Sequence, residues 1–143
     1  MNKDALGDLA DAVLALSREI EARHEHQEFI PLTLNERLAL RAVDRVDEIA
    51  PSELAAELGL QRSNLSTALR GLEAKGLVTR AHADRDGRGV VVRSTPLAAQ
   101  NLARLRARWA EVLQPVLPET ARPDEIAAVL ETMTTALVER RRR

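Results

Sequence analysis

The sequence predicts a mainly α-helical domain with one small β-hairpin, an α+β chain of about six helices. Three observations predict it. Apolar residues recur at alternating steps of three and four over most of the 143 residues, which is the period of one helix face. Pro51 to Gly59 and Arg62 to Gly76 read as two short helices, each closed by a glycine. Glycine is favoured there because it takes the left-handed conformation without a Cβ clash. Only Leu60 and Gln61 separate that first glycine from the second helix, the short turn of a helix-turn-helix. Lastly, Leu77–Arg80 and the β-branched run Val90-Val-Val-Arg93 flank Asp84-Arg-Asp-Gly-Arg88, which is hairpin-turn chemistry with Gly87 free to take a positive φ. Helix, turn, helix and hairpin in that order make a winged helix-turn-helix.

The remaining elements follow in chain order. Over residues 4–23, Leu6, Leu9, Val13, Leu16 and Ile20 form one stripe, with Asp4, Asp8, Asp11, Arg18 and Glu19 around it. His24–Glu28 breaks the pattern and Pro31 sets a boundary. Thr33-Leu-Asn-Glu36 is a capping-box pattern; the helix it opens is expected to turn Leu34, Leu38, Ala42 and Val46 inward. Pro51 suits the first position of the next helix, whose inner face is Leu54, Ala55 and Leu58. Leu65, Ala68, Leu69 and Leu72 form the buried face of the helix after that. Pro96 starts a long helix carrying Leu102, Leu105, Trp109, Val112 and Val116, which Pro115 and Pro118 should end. Arg122-Pro-Asp-Glu125 opens the last helix, bearing Ile126, Val129, Leu130, Met133 and Leu137.

Composition bounds the function. Apolar residues make up 45% and Phe29 and Trp109 are the two aromatics, so the core is aliphatic and Trp109 is expected to pack rather than stack on a ligand. No cysteine is present, which excludes disulfides and thiol chemistry. No apolar run approaches the roughly 20 residues of a membrane span and the N-terminus lacks signal-peptide order. A cytoplasmic protein with no membrane contact is expected. The net charge is −1, but it is unevenly spread. Residues 1–59 carry −7 and residues 61–93 carry +4, so positive charge gathers on the helix-turn-helix and hairpin, where phosphates would be attracted. No Gly-rich phosphate loop, matched nucleophile and base, or convincing metal-ligand spacing occurs. Hence no enzyme, cofactor or metal site is expected. Glu21, His24, Glu25, His26 and Glu28 tempt a metal reading, but residues two apart on a helix do not face one way.

The terminal helices lie far in sequence from the reading element, and their apolar stripes need cover. A second copy related by a two-fold axis is the commonest solution, and it also suits paired recognition helices on paired half-sites. Leu6, Leu9, Val13, Leu16, Met133 and Leu137 are therefore expected at a homodimer interface. The expected organisation is one domain over residues 1–143. Its DNA-binding lobe spans 33–95, and its dimerisation helices span 4–28 and 96–140.

With these elements in order, the chain resembles the MarR family of bacterial transcription regulators. The resemblance rests on Pro51-Ser-Glu-Leu-Ala-Ala-Glu-Leu-Gly59, Leu69-Arg-Gly-Leu-Glu-Ala-Lys-Gly-Leu-Val78, Asp86-Gly-Arg88 and Val90-Val-Val-Arg-Ser-Thr-Pro96. The resemblance implies a triangular homodimer on a near-palindromic operator, repression as the default outcome, and often release by a small-molecule effector. It also implies that Asp86 steadies the wing rather than touching DNA.

Opposite the buried stripe of the second helix lie Ser63, Asn64, Ser66, Thr67 and Arg70, with Arg62 at its start. Arginine suits guanine and asparagine suits adenine, and Arg62 and Ser63 sit at a helix N-terminus that favours phosphate. On the wing, Arg88 is the candidate for the minor groove, whose negative potential attracts arginine, with Arg85 a phosphate neighbour. The competing expectation is a winged-helix protein-interaction module without specific DNA binding. That would call for exposed apolar residues on this helix, and they are absent from the pattern. The Arg140–Arg143 run suits a helix C-terminus, where cations are favoured.

Overall fold

A computed structural model describes residues 2–23, 29–83 and 89–143. Among these, six α-helices, a two-stranded antiparallel hairpin and one 3-10 turn occur in the order expected. The first helix, α1 (Lys3–Glu21), is capped by Asn2, whose side chain accepts the Asp4 N–H at 3.1 Å. The second, α2 (Leu34–Val43), carries the full capping box: the Thr33 hydroxyl accepts from Glu36 N at 3.2 Å, and Glu36 Oε2 accepts from Thr33 N at 2.9 Å. Next come α3 (Pro51–Leu58) and α4 (Arg62–Ala74), separated by Gly59 at φ +64. The strands are β1 (Val78–His82) and β2 (Val90–Ser94), paired from Val78 opposite Ser94 to His82 opposite Val90. Helices α5 (Pro96–Leu113) and α6 (Pro123–Arg142) follow. The 3-10 turn Gln114–Val116, which contains Pro115, ends α5.

The core is aliphatic and sits where α2, α3 and α4 meet the hairpin and the start of α5. Leu40, Leu54, Leu65, Leu69, Leu72, Leu77 and Val92 are almost wholly buried in it. All four residues expected on the inner face of α4 are buried. The inner face of α2 differs from the expectation. Ala39, Leu40 and Val43 are buried together with Ala42, while Leu34 and Val46 are exposed. The i, i+4 series starting at Leu34 lies on one side of the helix, whereas α2 turns its Leu40 side to α4. Val116 is likewise exposed, because the 3-10 turn carries it off the stripe of α5.

Several long-range bonds lock the lobe together. Ile49 exchanges both backbone hydrogen bonds with Val92 (3.1 and 2.8 Å), extending the hairpin by an isolated bridge. Thr95 caps α5, and its hydroxyl donates to the Gly76 carbonyl at 2.7 Å, tying the end of α4 to the start of α5. Asn101, buried on α5, pins the Ile30 backbone through both its N–H and its carbonyl. Glu36 is buried against α4, where it meets Lys75 at 2.6 Å, and Lys75 also donates to the Pro31 carbonyl.

The outer helices contrast with this. Neither α1 nor α6 has a buried residue. Leu6, Leu9, Val13, Leu16, Ile126, Val129, Met133 and Leu137 are all exposed. No helix among the described residues is long and apolar enough to cross a membrane.

Candidate nucleic-acid interface

The candidate site is the outer face of α4. Burial of Leu65, Ala68, Leu69 and Leu72 fixes the rotation of this helix, so helical geometry turns Ser63, Asn64, Ser66, Thr67 and Arg70 outward, and Arg62 stands at the helix start. All six are exposed. Gln61 provides no side-chain cap, which leaves the first amides of α4 open to an anion. Thr67 donates its hydroxyl to the Ser63 carbonyl at 3.1 Å, and Arg70 Nη2 donates to that same hydroxyl oxygen at 3.3 Å. Thr67 therefore presents mainly its methyl group, and Arg70 is drawn along the helix axis toward its N-terminus.

The positive charge of this region is narrower than the residue count suggests. Lys75 is paired with Glu36, Arg93 with Glu48 at 2.5 Å, and Arg80 with Glu73 at 3.5 Å. Among the described residues, Arg62 and Arg70 are the basic side chains of this region left without an acidic partner. Arg70 lies on the outer face of α4 and Arg62 at its start. Arg85, Asp86, Gly87 and Arg88 of the wing tip lie outside the described residues, as do His24 and His26. The root of the wing is described: Ala83 N–H reaches the Gly89 carbonyl at 3.3 Å.

Sequence reasoning missed Arg80 as a member of this surface. It projects from β1 into a cleft of about 220 Å³ that also contains Pro51, Ser52, Arg62 and Ser66. Nothing in the local pattern distinguishes it from an ordinary strand arginine; only the antiparallel register brings it beside the start of α3.

Glu36 governs how α4 is mounted. Burial pushes its carboxyl up, but the Lys75 ammonium and the Thr33 N–H and hydroxyl outweigh burial and hold it below its ordinary value. Gly71 lets this carboxylate lie against α4, since a Cβ there would meet Glu36 Oε1 at 2.1 Å. Arg37 pairs with Glu21 and sits 5.6 Å from the centre of the Trp109 ring. Trp109 is thus engaged in packing and a cation–π contact.

A wide groove of about 730 Å³ separates α6 from α2 and α3. Leu38, Ala42, Leu58 and Leu130 supply its apolar part, and Arg41 and Arg45 line one wall. Burial, then the neighbouring Arg45 and Arg106, lower the proton affinity of Arg41. Among the described residues no group of three or more His, Cys, Asp or Glu side chains could hold a metal.

The fold and the polar face of α4 can now be set beside known proteins. The MarR family model matches residues 30–89, which take in α2, α3, α4 and β1 and stop just before β2. The chain is 29% identical to the transcriptional regulator PA3341 over 94% of its own length and 96% of that chain, with a TM-score of 0.66. This chain resembles the MarR family over residues 30–89 and in its fold. BldR, a transcriptional regulator from Sulfolobus solfataricus, is 23% identical over 95% of this chain and 99% of its own, with a TM-score of 0.69. FabT of Streptococcus pneumoniae, solved in complex with DNA, is 22% identical over 94% of this chain and 91% of its own, at a TM-score of 0.62. No curated protein sequence matches the chain. MarR proteins are transcription regulators and not enzymes, and the match over the helix-turn-helix with the likeness to PA3341 supports a DNA-binding transcriptional regulator.

Proposed function

We propose that this chain acts as a homodimeric repressor that reads a near-palindromic operator. In this reading Arg70 and Asn64 contact base edges in the major groove, and the Thr67 methyl offers an apolar contact of the kind thymine takes. Arg62, Ser63 and Ser66, with the open amides at the start of α4, hold phosphates. The wing carries Arg88 into the minor groove, with Arg85 at the adjoining phosphate and Asp86 and Gly87 shaping the turn. The observation that carries the reading is the polarity of α4. It buries every large apolar side chain it has, and its outward residues from Arg62 to Arg70 are hydrogen-bonding groups that include two arginines without an acidic partner.

Dimerisation is supported by the stripes on α1 and α6. Met133 and Leu137 lie on the same side of α6 as Ile126 and Val129, away from the groove that α6 shares with α2 and α3. An exposed apolar stripe on each of two helices favours cover by a second copy. A small effector would fit the groove under α6, where Arg41 and Arg45 favour an anionic group, and moving α6 there would release the operator.

The test is titration of a labelled duplex, selected from a random pool, with the purified protein at about 0.15 M salt, together with sedimentation to read its mass. Binding of one dimer per two-fold site is expected. Binding that is weak, independent of sequence and abolished at this salt would reject the operator reading. A monomer at micromolar concentration would reject the dimer.

A further inference from the structure

The Arg140–Arg143 run is not absorbed by the operator reading. The structure gives one of its members a specific partner. Helix α6 remains helical through Arg142, and Arg141 near its end lies against the turn between α3 and α4. Arg141 Nη2 donates to the carbonyl of Glu57 at 2.9 Å, a contact between residues 84 apart in the chain. Glu57 sits in the last turn of α3, where carbonyls have no partner within the helix. A guanidinium, with several donors in a fixed fork, suits such an acceptor.

The fit of Arg141 depends on Gly59. A Cβ at Gly59 would stand 2.3 Å from Arg141 Cζ and 2.5 Å from its Nε and Nη1. Gly59 therefore serves twice: it takes the positive φ that ends α3, and it leaves the turn bare for the guanidinium. Along the rest of its contact with the lobe, α6 is separated from α2 and α3 by the groove of about 730 Å³. Among the described residues, Arg141 makes the one side-chain hydrogen bond from α6 to the helix-turn-helix.

We propose that Arg141 is a positioning residue. It fastens the turn of the helix-turn-helix to α6 and so fixes the direction in which the recognition helix leaves the dimer body. This rests on the reading that α6 pairs the two copies and α4 reads DNA. One face of α6 then meets the partner copy while its end holds the α3–α4 turn, and the fastening sets the separation of the two recognition helices. The half-site spacing the dimer accepts follows from that separation. An exposed hydrogen bond contributes modestly to folding, so the fold survives its loss while the lobe gains freedom to swing over the groove.

The experiment compares the unsubstituted protein with Arg141→Ala, Arg141→Lys and Arg140→Ala; the last removes the same charge without the fastening. Amide hydrogen exchange of residues 57–61 is read without DNA. Affinity is then measured on duplexes whose half-sites stand at the preferred spacing and at shorter and longer ones. Arg141→Ala is expected to speed exchange at 57–61 and to flatten the dependence on spacing, with Arg141→Lys between it and the parent. Arg140→Ala should keep the parent's exchange and spacing profile. Unchanged exchange in Arg141→Ala would remove the fastening. A loss uniform across all spacings and matched by Arg140→Ala would make Arg141 a plain phosphate attractor. If the unsubstituted protein shows no sequence preference at all, the operator reading fails and the positioning role with it. Exchange at 57–61 then judges the contact alone.

Discussion

Replacing Gly71 by alanine should destabilise this protein, although the same change in a helix interior ordinarily helps. Alanine in place of glycine within a helix is worth about 1 kcal/mol in propensity. Here the new Cβ would stand 2.1 Å from Glu36 Oε1, so the carboxylate must leave α4. In leaving it gives up the Lys75 ammonium at 2.6 Å and the Thr33 N–H at 2.9 Å. A hydrogen bond to a charged group contributes about 1.5–3 kcal/mol, while the Thr33 hydroxyl still caps the helix through Glu36 N. The propensity gain offsets only part of this, leaving a net loss of roughly 1–3 kcal/mol. The assay is urea unfolding followed by fluorescence of Trp109, the one tryptophan of the chain, at matched protein concentrations because a dimer's stability depends on them. The pH dependence adds a second reading. The folded Glu36 carboxyl is held below its ordinary value of 4.5. A group depressed in this way contributes stability that is full above the unfolded value and is lost as pH falls through the folded one. The difference between parent and Gly71→Ala should therefore shrink as pH drops below about 4.5. A variant more stable than the parent by about 1 kcal/mol at neutral pH, with no pH dependence in the difference, would refute the seating of Glu36 on α4.

Other perturbations separate the roles assigned to other residues. Met133→Asp with Leu137→Asp should convert the dimer to a folded monomer, since each buried apolar side chain contributes about 1.5–3 kcal/mol; sedimentation reads the outcome, and an unchanged dimer would move the interface elsewhere. Arg70→Ala should cost about 1–3 kcal/mol at the base pair it reads and relax selectivity there. Arg62→Ala should weaken all sequences alike and lower the salt slope by about 1. Competition titrations on single-base variants of the site distinguish the two. Arg88→Ala should weaken binding about tenfold, as loss of one charge-assisted contact does, and leave the mass of the dimer unchanged. Unaltered affinity would take the wing out of the interface.

Much of this architecture was legible in local sequence, and particular residues explain where legibility stopped. Thr33 and Glu36 announce a capping box three residues apart, and both of its bonds form. Gly59 stops α3 where a left-handed residue is needed, and the i, i+3, i+4, i+7 set of α4 dictates which face turns outward. Each of these is decided within one or two helical turns. The inner face of α2 was misjudged because Leu34, Leu38 and Ala42 form as regular a stripe as Leu40 and Val43, and only the docking of α4 chooses between them. The strands run to His82 and Ser94, beyond the β-branched residues, because backbone pairing does not require a branched side chain. Ile49 joins Val92, Arg80 comes beside the start of α3, and Arg141 reaches Glu57 only through tertiary contact, so no local pattern marks them. Charge counting also overstated the patch, since Lys75 and Arg93 are neutralised by Glu36 and Glu48, which lie in other parts of the chain.

The most direct test of the central claim is selection of duplexes from a random pool by the purified protein at about 0.15 M salt. The account predicts enrichment of a near-palindrome whose half-site centres stand roughly one helical turn, about 10 base pairs, apart. It also predicts that Arg70→Ala broadens the enriched sequence at one position in each half. A pool that stays random, or that binds only at low salt without preference, would contradict a dimer reading its operator through α4.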